Sequence, residues 1–432
     1  TRQATLFPYT TLFRSEGNMT DIAGTVPVIA VDKVQAVALA VCTYYFGVWL
    51  KGKVGVLSRY SIPSPVVGGM SFAIVVSFLE YFNIVKVQID STLQTVLMLG
   101  FFTTIGLMAS LRVVKDGGRL LLGFLLAVTV LVFLQNGMGM AIAEAMGFDK
   151  HYGILAGSVS MMGGLGTAAA FGPYFEETYG ITGGTAVAVT AATFGMVAAL
   201  LIGGPFGEWC IRRYKVKTPD EVQQPEPELH LPDDMDTDIT EQHASAKPNF
   251  TDEIMRAVSV TALAMGLGTI VSNFLGHYIT LPAYIGAMIV ATVIRNVGDF
   301  SGMYKVEGKG LNAVADITLV LFVTMAINNL KLHELVHLAL PLVVILACQT
   351  ILMLIYAWTV LFTAFGRSYD AVMLSVGGIG FSMGATANGL ANMQAISEKY
   401  GSSPRAWLIV SVVGAFLIDL INAVVITWFG TL

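Results

Sequence analysis

Apolar residues run through this chain in blocks long enough to cross a lipid bilayer. A helical span needs about 20 apolar residues, because each residue adds about 1.5 Å across a hydrocarbon core of about 30 Å. Ten segments meet that length, at roughly 32–50, 65–84, 92–111, 119–146, 185–207, 254–278, 281–298, 311–330, 335–364 and 405–429. Two further apolar stretches, about 150–172 and 370–393, are broken by glycines and small polar residues. They predict re-entrant hairpins that enter and leave by the same face. Each half of the chain then has five crossings and one hairpin. Five is odd, so the second half inserts upside down relative to the first.

The two broken stretches resemble one another. Ser160-Met-Met-Gly-Gly-Leu-Gly-Thr-Ala-Ala170 is followed by Val376-Gly-Gly-Ile-Gly-Phe-Ser-Met-Gly-Ala-Thr-Ala387. Around them, Ile62-Pro63 pairs with Leu281-Pro282, Gln135 with Gln349, and Glu177-Thr-Tyr-Gly180 with Glu398-Lys-Tyr-Gly401, at offsets between 214 and 221. One duplicated unit therefore covers nearly the whole chain. The expected fold class is an all-α integral membrane protein: a first five-helix repeat at 19–212, a linker at 213–252, and an inverted second repeat at 253–432.

Charge gives an independent orientation, since short cytoplasmic loops collect Lys and Arg. Basic residues cluster after the first, third, fifth and seventh spans (Lys51, Lys53 and Arg59; Arg112, Lys115 and Arg119; Arg212, Arg213, Lys215 and Lys217; Arg295, Lys305 and Lys309) and beside the second hairpin (Arg367, Lys399 and Arg405). Both termini come out external and the linker cytoplasmic. The net charge of -5 belongs to the linker: residues 218–253 hold eleven of the 29 acids and one of the 24 basic residues. Its prolines, acids and lack of apolar period predict a disordered connector. At 55% hydrophobic and 12% charged the chain is not a soluble globule, whose charged share is usually about 25%. Residues 1–18, ahead of Met19, read as a non-native or disordered leader. Cys42, Cys210 and Cys348 are too scattered to pair or to ligate a metal.

The candidate chemistry lies in the hairpins. Glycine permits a sharp reversal and lets peptide groups approach a ligand, while half-helix ends offer dipoles to ions and carboxylates. Close packing by small residues is the bland alternative, and two motifs at matching repeat positions weigh against it. The expected substrate site comprises Ser160, Gly163, Gly164, Gly166 and Thr167 from the first hairpin, and Gly377, Gly378, Gly380, Ser382, Gly384, Thr386, Asn388 and Asn392 from the second. Asp419 lies deep in the last span, where an ionised carboxylate is costly and usually functional. Asn422, three residues on, is expected on the same side. Asp419 and Asn422 are expected sodium ligands, with proton carriage the alternative role for Asp419. The mid-span Gln135 and Asn136, like Gln349, read first as interhelical polar glue, and Gln135 and Asn136 second as sodium ligands. Glu144 and Asp316, near span ends, read as interfacial. His333-Glu-Leu-Val-His337 spells the zinc-hydrolase pattern, but no further His follows and the next acid is Asp370, so a third ligand is missing and no zinc is expected. No phosphate loop, dinucleotide fingerprint, nucleophilic triad or nucleic-acid patch appears. The sequence reads as a transporter rather than an enzyme.

The stretches Arg59-Tyr-Ser-Ile-Pro-Ser-Pro-Val-Val-Gly-Gly69, Phe102-Thr-Thr-Ile-Gly106, the Gly163–Thr167 tip, Gly384-Ala-Thr386 and Ala391-Asn-Met-Gln-Ala-Ile396 together resemble the bacterial sodium/glutamate symporter family. The resemblance runs from about Lys33 to the C-terminus and is weakest in the linker. It implies a secondary-active importer of glutamate in the bacterial inner membrane, with Na+ as coupling ion. It also implies a homodimer and an elevator-like transport domain that carries both hairpins. A carrier of citrate, malate or another small carboxylate is the alternative within the class. A passive anion channel or a membrane metalloprotease would belong to others.

Overall fold

The computed structural model describes residues 26–55, 57, 62–112, 118–219, 250–275, 283–302, 304, 308–331 and 338–432. The leader expected at 1–18, most of the linker and the His333–His337 motif lie outside the described residues. A short strand, β1 (Val28–Val31), leads into α1 (Lys33–Lys53), and α2 (Ser64–Tyr81) returns to β2 (Lys86–Ile89). The strands pair in parallel, Val28 opposite Lys86 through Val31 opposite Ile89. Then come α3 (Thr92–Met108), α4 (Gly118–Ala145), α5 (Lys150–Ile154), α6 (Gly164–Tyr179), α7 (Gly184–Tyr214), α8 (Phe250–Leu275), α9 (Ala283–Ser301), α10 (Lys309–Asn328), α11 (Ala339–Tyr356), α12 (Tyr369–Ser382), α13 (Thr386–Tyr400), α14 (Pro404–Val412) and α15 (Ile418–Gly430).

Local signals set several of these ends. Asp32 caps α1 in a reciprocal box with Gln35, satisfying amides that the first turn leaves unpaired. Ser64 and Pro65 open α2, where the missing proline N–H costs nothing. Hydrogen bonds from Thr92 hold the Asp90 carboxyl below the usual carboxylate range at the entry to α3.

Eight of the ten expected crossings are helices long and apolar enough to span a membrane, among the described residues. The other two differ for physical reasons. α3 has 17 residues, which rise only about 25 Å. α9 carries Arg295, Asn296 and Asp299 near its end, where they close the C-terminus of α3. Asn296 donates to the Ala109 carbonyl and accepts from the Leu111 amide, Ser110 donates to Asp299, and Arg295 pairs with Asp299 at 2.9 Å.

The helices pack as two groups. α1, α2 and α3 gather with α8, α9 and α10, while α4 to α7 gather with α11 to α15. Each group draws helices from both halves of the chain. Lipid tails are as apolar as leucine, so close approach rather than hydrophobicity holds such helices together. At the α1–α2 crossing, a Cβ on Gly68 would lie 1.8 Å from the Thr43 carbonyl oxygen, and one on Gly47 would lie 2.2 Å from that of Ser64. Phe102 of α3 stacks on Tyr284 of α9, ring centroids 4.5 Å apart.

Gly68→Ala must push these backbones apart, a strain of about 1–3 kcal/mol. We expect a lower melting temperature in detergent than wild type. An unchanged value would show that α1 and α2 do not depend on this contact.

Candidate functional site

Two helical runs break inside the second group. The first passes from α5 through a π-helical turn at Leu155–Val159, where Gly157 leaves helical geometry (φ -91°, ψ -129°), and restarts at Gly164. The second stops at Ser382 and restarts at Thr386. The breaks meet: a Cβ on Gly164 would lie 2.5 Å from the Gly384 carbonyl oxygen, and one on Gly195 of α7 would lie 2.1 Å from that of Met383.

A break leaves amide and carbonyl groups without helical partners, and neighbouring amide side chains supply them. Gln135 donates to the Ser382 carbonyl at 2.9 Å, and Asn422 donates to the Ser158 carbonyl at 3.0 Å. The Ser158 amide donates to Asn136 at 2.9 Å. On the far arm of the second break, Asn388 and Asn392 donate to the Met196 and Ala199 carbonyls of α7 at 2.9 and 3.0 Å. Ser160 Oγ lies 2.7 Å from the Ala188 carbonyl oxygen.

Where the breaks face the first helix group, a cavity of about 500 Å³ opens. Of the expected substrate residues, Gly163, Gly164, Gly166, Thr167, Gly384 and Thr386 line it. Ser160, Ser382, Asn388 and Asn392 instead bond the breaks to their surroundings. Gly380 packs on Gly389, where a Cβ would lie 2.2 Å from the Gly389 Cα, and Gly377 and Gly378 pack against side chains of other helices. Asp419 faces the cavity, whereas Asn422, Gln135 and Asn136 are buried beside the breaks. Asp419 and Asn422 thus stand in different surroundings although both lie on α15, three residues apart.

The opposite wall, Pro63, Pro65, Phe101, Ile105, Leu319, Val320 and Val323, comes from α2, α3, α10 and the approach to α2. Pro63, Pro65 and Ile105 fall within the stretches that carry the family resemblance, but nothing in the sequence placed these residues at a cavity rather than against lipid. Asp316, expected at the interface, also lines the cavity. Its sequence signal was an unpaired carboxylate inside an apolar segment. Among the described residues the lining holds two carboxylates, Asp316 and Asp419, and no Lys, Arg or His. Thr386 spends its hydroxyl proton on the Gly414 carbonyl at 2.5 Å, leaving oxygen lone pairs beside the cavity. The first-turn amides of α6 and α13 lie at the tips, where helix dipoles present partial positive charge. Amide N–H groups, hydroxyl oxygens and carboxylates suit a small zwitterion. A second cavity of about 360 Å³ lies along the same boundary at the other ends of α3 and α10, lined by Gln94, Glu176, Thr185, Asn329 and Lys331 among others.

Helices of this length, with a ligand-sized cavity where two broken runs meet, define a multi-pass membrane protein of the transporter class. The sodium/glutamate symporter family model matches residues 29–402. The chain is 37% identical over 400 residues to the sodium/glutamate symporters of Escherichia coli (strain K12) and Shigella flexneri, covering 91% of this chain and 96% of each relative. It is 34% identical over 395 residues to that of Haemophilus influenzae, covering 90% and 95%. The chain belongs to the sodium/glutamate symporter family.

Asn388→Leu keeps the volume and removes the bond to Met196, stranding buried polar groups at a cost of about 1–3 kcal/mol. We expect the detergent melting temperature to fall while membrane insertion persists. Wild-type stability would show that the second break does not rest on this amide.

Proposed function

We propose that this chain imports glutamate together with Na+ across the bacterial inner membrane, moving one helix group against the other in an elevator-like cycle. The carrying observation is the cavity at the boundary between the two groups, with both broken runs on one wall. Two further features support the reading. A second cavity opens along the same boundary at the opposite helix ends, as alternating access requires. The division into groups also repeats across the duplicated halves, as it does when two inverted repeats with re-entrant hairpins build one carrier. The basic loops then set both termini outside and the 213–252 linker in the cytoplasm. A homodimer assembled through the first group fits a stationary frame.

In this reading the substrate carboxylates lie against the first-turn amides of α6 and α13. That arrangement binds anions without a cationic side chain. The Asp419 carboxyl faces the same space and, ionised beside the ligand's α-ammonium group, accepts it. This acceptor favours an amino acid over citrate, malate or another plain dicarboxylate, which brings no positive charge to offset it. With the carboxylates held by helix-end amides and the ammonium by Asp419, no ligand charge crosses the low-dielectric interior unpartnered.

Uptake of radiolabelled glutamate into proteoliposomes, with and without an inward Na+ gradient, tests transport. Asp419→Asn tests the ammonium contact. A charge-assisted hydrogen bond contributes about 1.5–3 kcal/mol, so half-saturating glutamate rises roughly 10- to 150-fold. Inhibition by glutarate, which lacks the amino group, should not weaken. An unchanged glutamate requirement, or an equal loss for glutarate, contradicts the assignment.

A further inference from the structure

Six polar side chains beside the breaks are almost wholly enclosed: Gln135, Asn136, Ser158, Gln349, Ser382 and Asn422 are each at most 1% exposed. Each bears one side-chain atom with no hydrogen-bond partner: Gln135 Oε1, Asn136 Nδ2, Ser158 Oγ, Gln349 Oε1, Ser382 Oγ and Asn422 Oδ1. Buried polar atoms are normally paired, so such a concentration points to a ligand. The six divide by their hydrogen bonds into two sets of three. Gln349 donates to the Gln135 carbonyl at 2.7 Å and Gln135 donates to the Ser382 carbonyl at 2.9 Å. Asn136 accepts from the Ser158 amide and Asn422 donates to the Ser158 carbonyl.

The two sets differ in chemistry. In the Asn136 set the orphan atoms are an amide donor, a hydroxyl and an amide acceptor, a mixture that a water molecule satisfies. In the Gln135 set all three are oxygens. Both glutamines have a donor hydrogen committed to a backbone carbonyl, which fixes which end of each amide is the acceptor. Ser382 is the last residue of α12, whose final carbonyls carry the partial negative charge of the helix end. Hard oxygens at a helix C-terminus suit a small hard cation, and the Ser382 hydroxyl can turn its hydrogen away to present a lone pair. The hydrogen bonds chain Gln349 to Gln135 and Gln135 to Ser382, which keeps the three side chains adjacent.

We infer that Gln135, Gln349 and Ser382 hold Na+ at a site separate from the substrate cavity. The inference rests on the symport reading and names where its ion sits. The site joins α4 and α11 to the arm of the second break. A bound cation therefore fixes Ser382 two residues before Gly384, which lines the cavity, and so shapes the substrate site without touching substrate. Asp419 is left free for the ammonium group.

The test uses the full-length protein in detergent with no carboxylate present, titrated with NaCl against choline chloride at constant ionic strength. Wild type should gain thermal stability with Na+. Ser382→Ala removes only the unpartnered oxygen and should raise half-saturating Na+ at least tenfold. Gln349→Met, similar in volume, should do the same, while Ser158→Ala in the mixed set should stay within twofold of wild type. Overturning results are a wild type indifferent to Na+, a Ser382→Ala titration like wild type, or an equal shift in Ser158→Ala. The readout contains no substrate. A Na+ response abolished by Ser382→Ala in a protein that does not take up glutamate would sustain the site and sink the substrate reading. Na+-driven glutamate uptake with an unaltered Ser382→Ala titration would do the reverse.

Discussion

A helix broken at membrane depth leaves amide and carbonyl groups that no lipid can satisfy, and the rest of this structure follows from how that demand is met. Neutral amide side chains meet it. Gln135 and Asn422 donate to the Ser382 and Ser158 carbonyls of the breaks at 2.9 and 3.0 Å, and Asn388 ties the far arm of the second break to α7. Neutral amides suit the task because each can donate and accept without the desolvation cost of a charge. Once the breaks are held, their tips meet at Gly164 and Gly384, and the space before them becomes a cavity.

Length and apolarity made the crossings legible in the sequence, because a bilayer imposes a length on any helix that spans it. The sites of the two breaks were legible for a related reason. Glycine pairs within an apolar run have few uses, and here they recur at a fixed offset. Amide orientation was not legible. Asn388 and Asn392 share a helical face with each other, and that face bonds to α7. Asp419 and Asn422 lie three residues apart on α15, yet Asp419 faces the cavity and Asn422 is buried against Ser158. The apolar wall from α2, α3 and α10 was invisible because residues facing lipid and residues facing a cavity have the same composition.

The cavity's charge balance narrows its chemistry. A pocket for anions usually recruits Arg or Lys, and this one lines itself with backbone and two carboxylates instead. Backbone dipoles stabilise a carboxylate at fixed geometry and carry no counter-charge of their own. A ligand that brings both signs therefore fits best. The same economy applies to the ion: three unpartnered oxygens offer a small cation a neutral, hard environment. Coupling then needs no direct contact between ion and substrate, only a shared dependence on the second break.

The central claim is that substrate occupies the space between the two tips. Ala387 lines that space, and Asn83, in the turn after α2, is exposed elsewhere. With Cys42, Cys210 and Cys348 replaced by serine, single cysteines at positions 387 and 83 can be labelled with a small membrane-permeant maleimide. Glutamate with Na+ should slow labelling at 387 at least tenfold and leave 83 unchanged. Equal rates at 387 with and without substrate, in a protein that transports glutamate, would contradict the account.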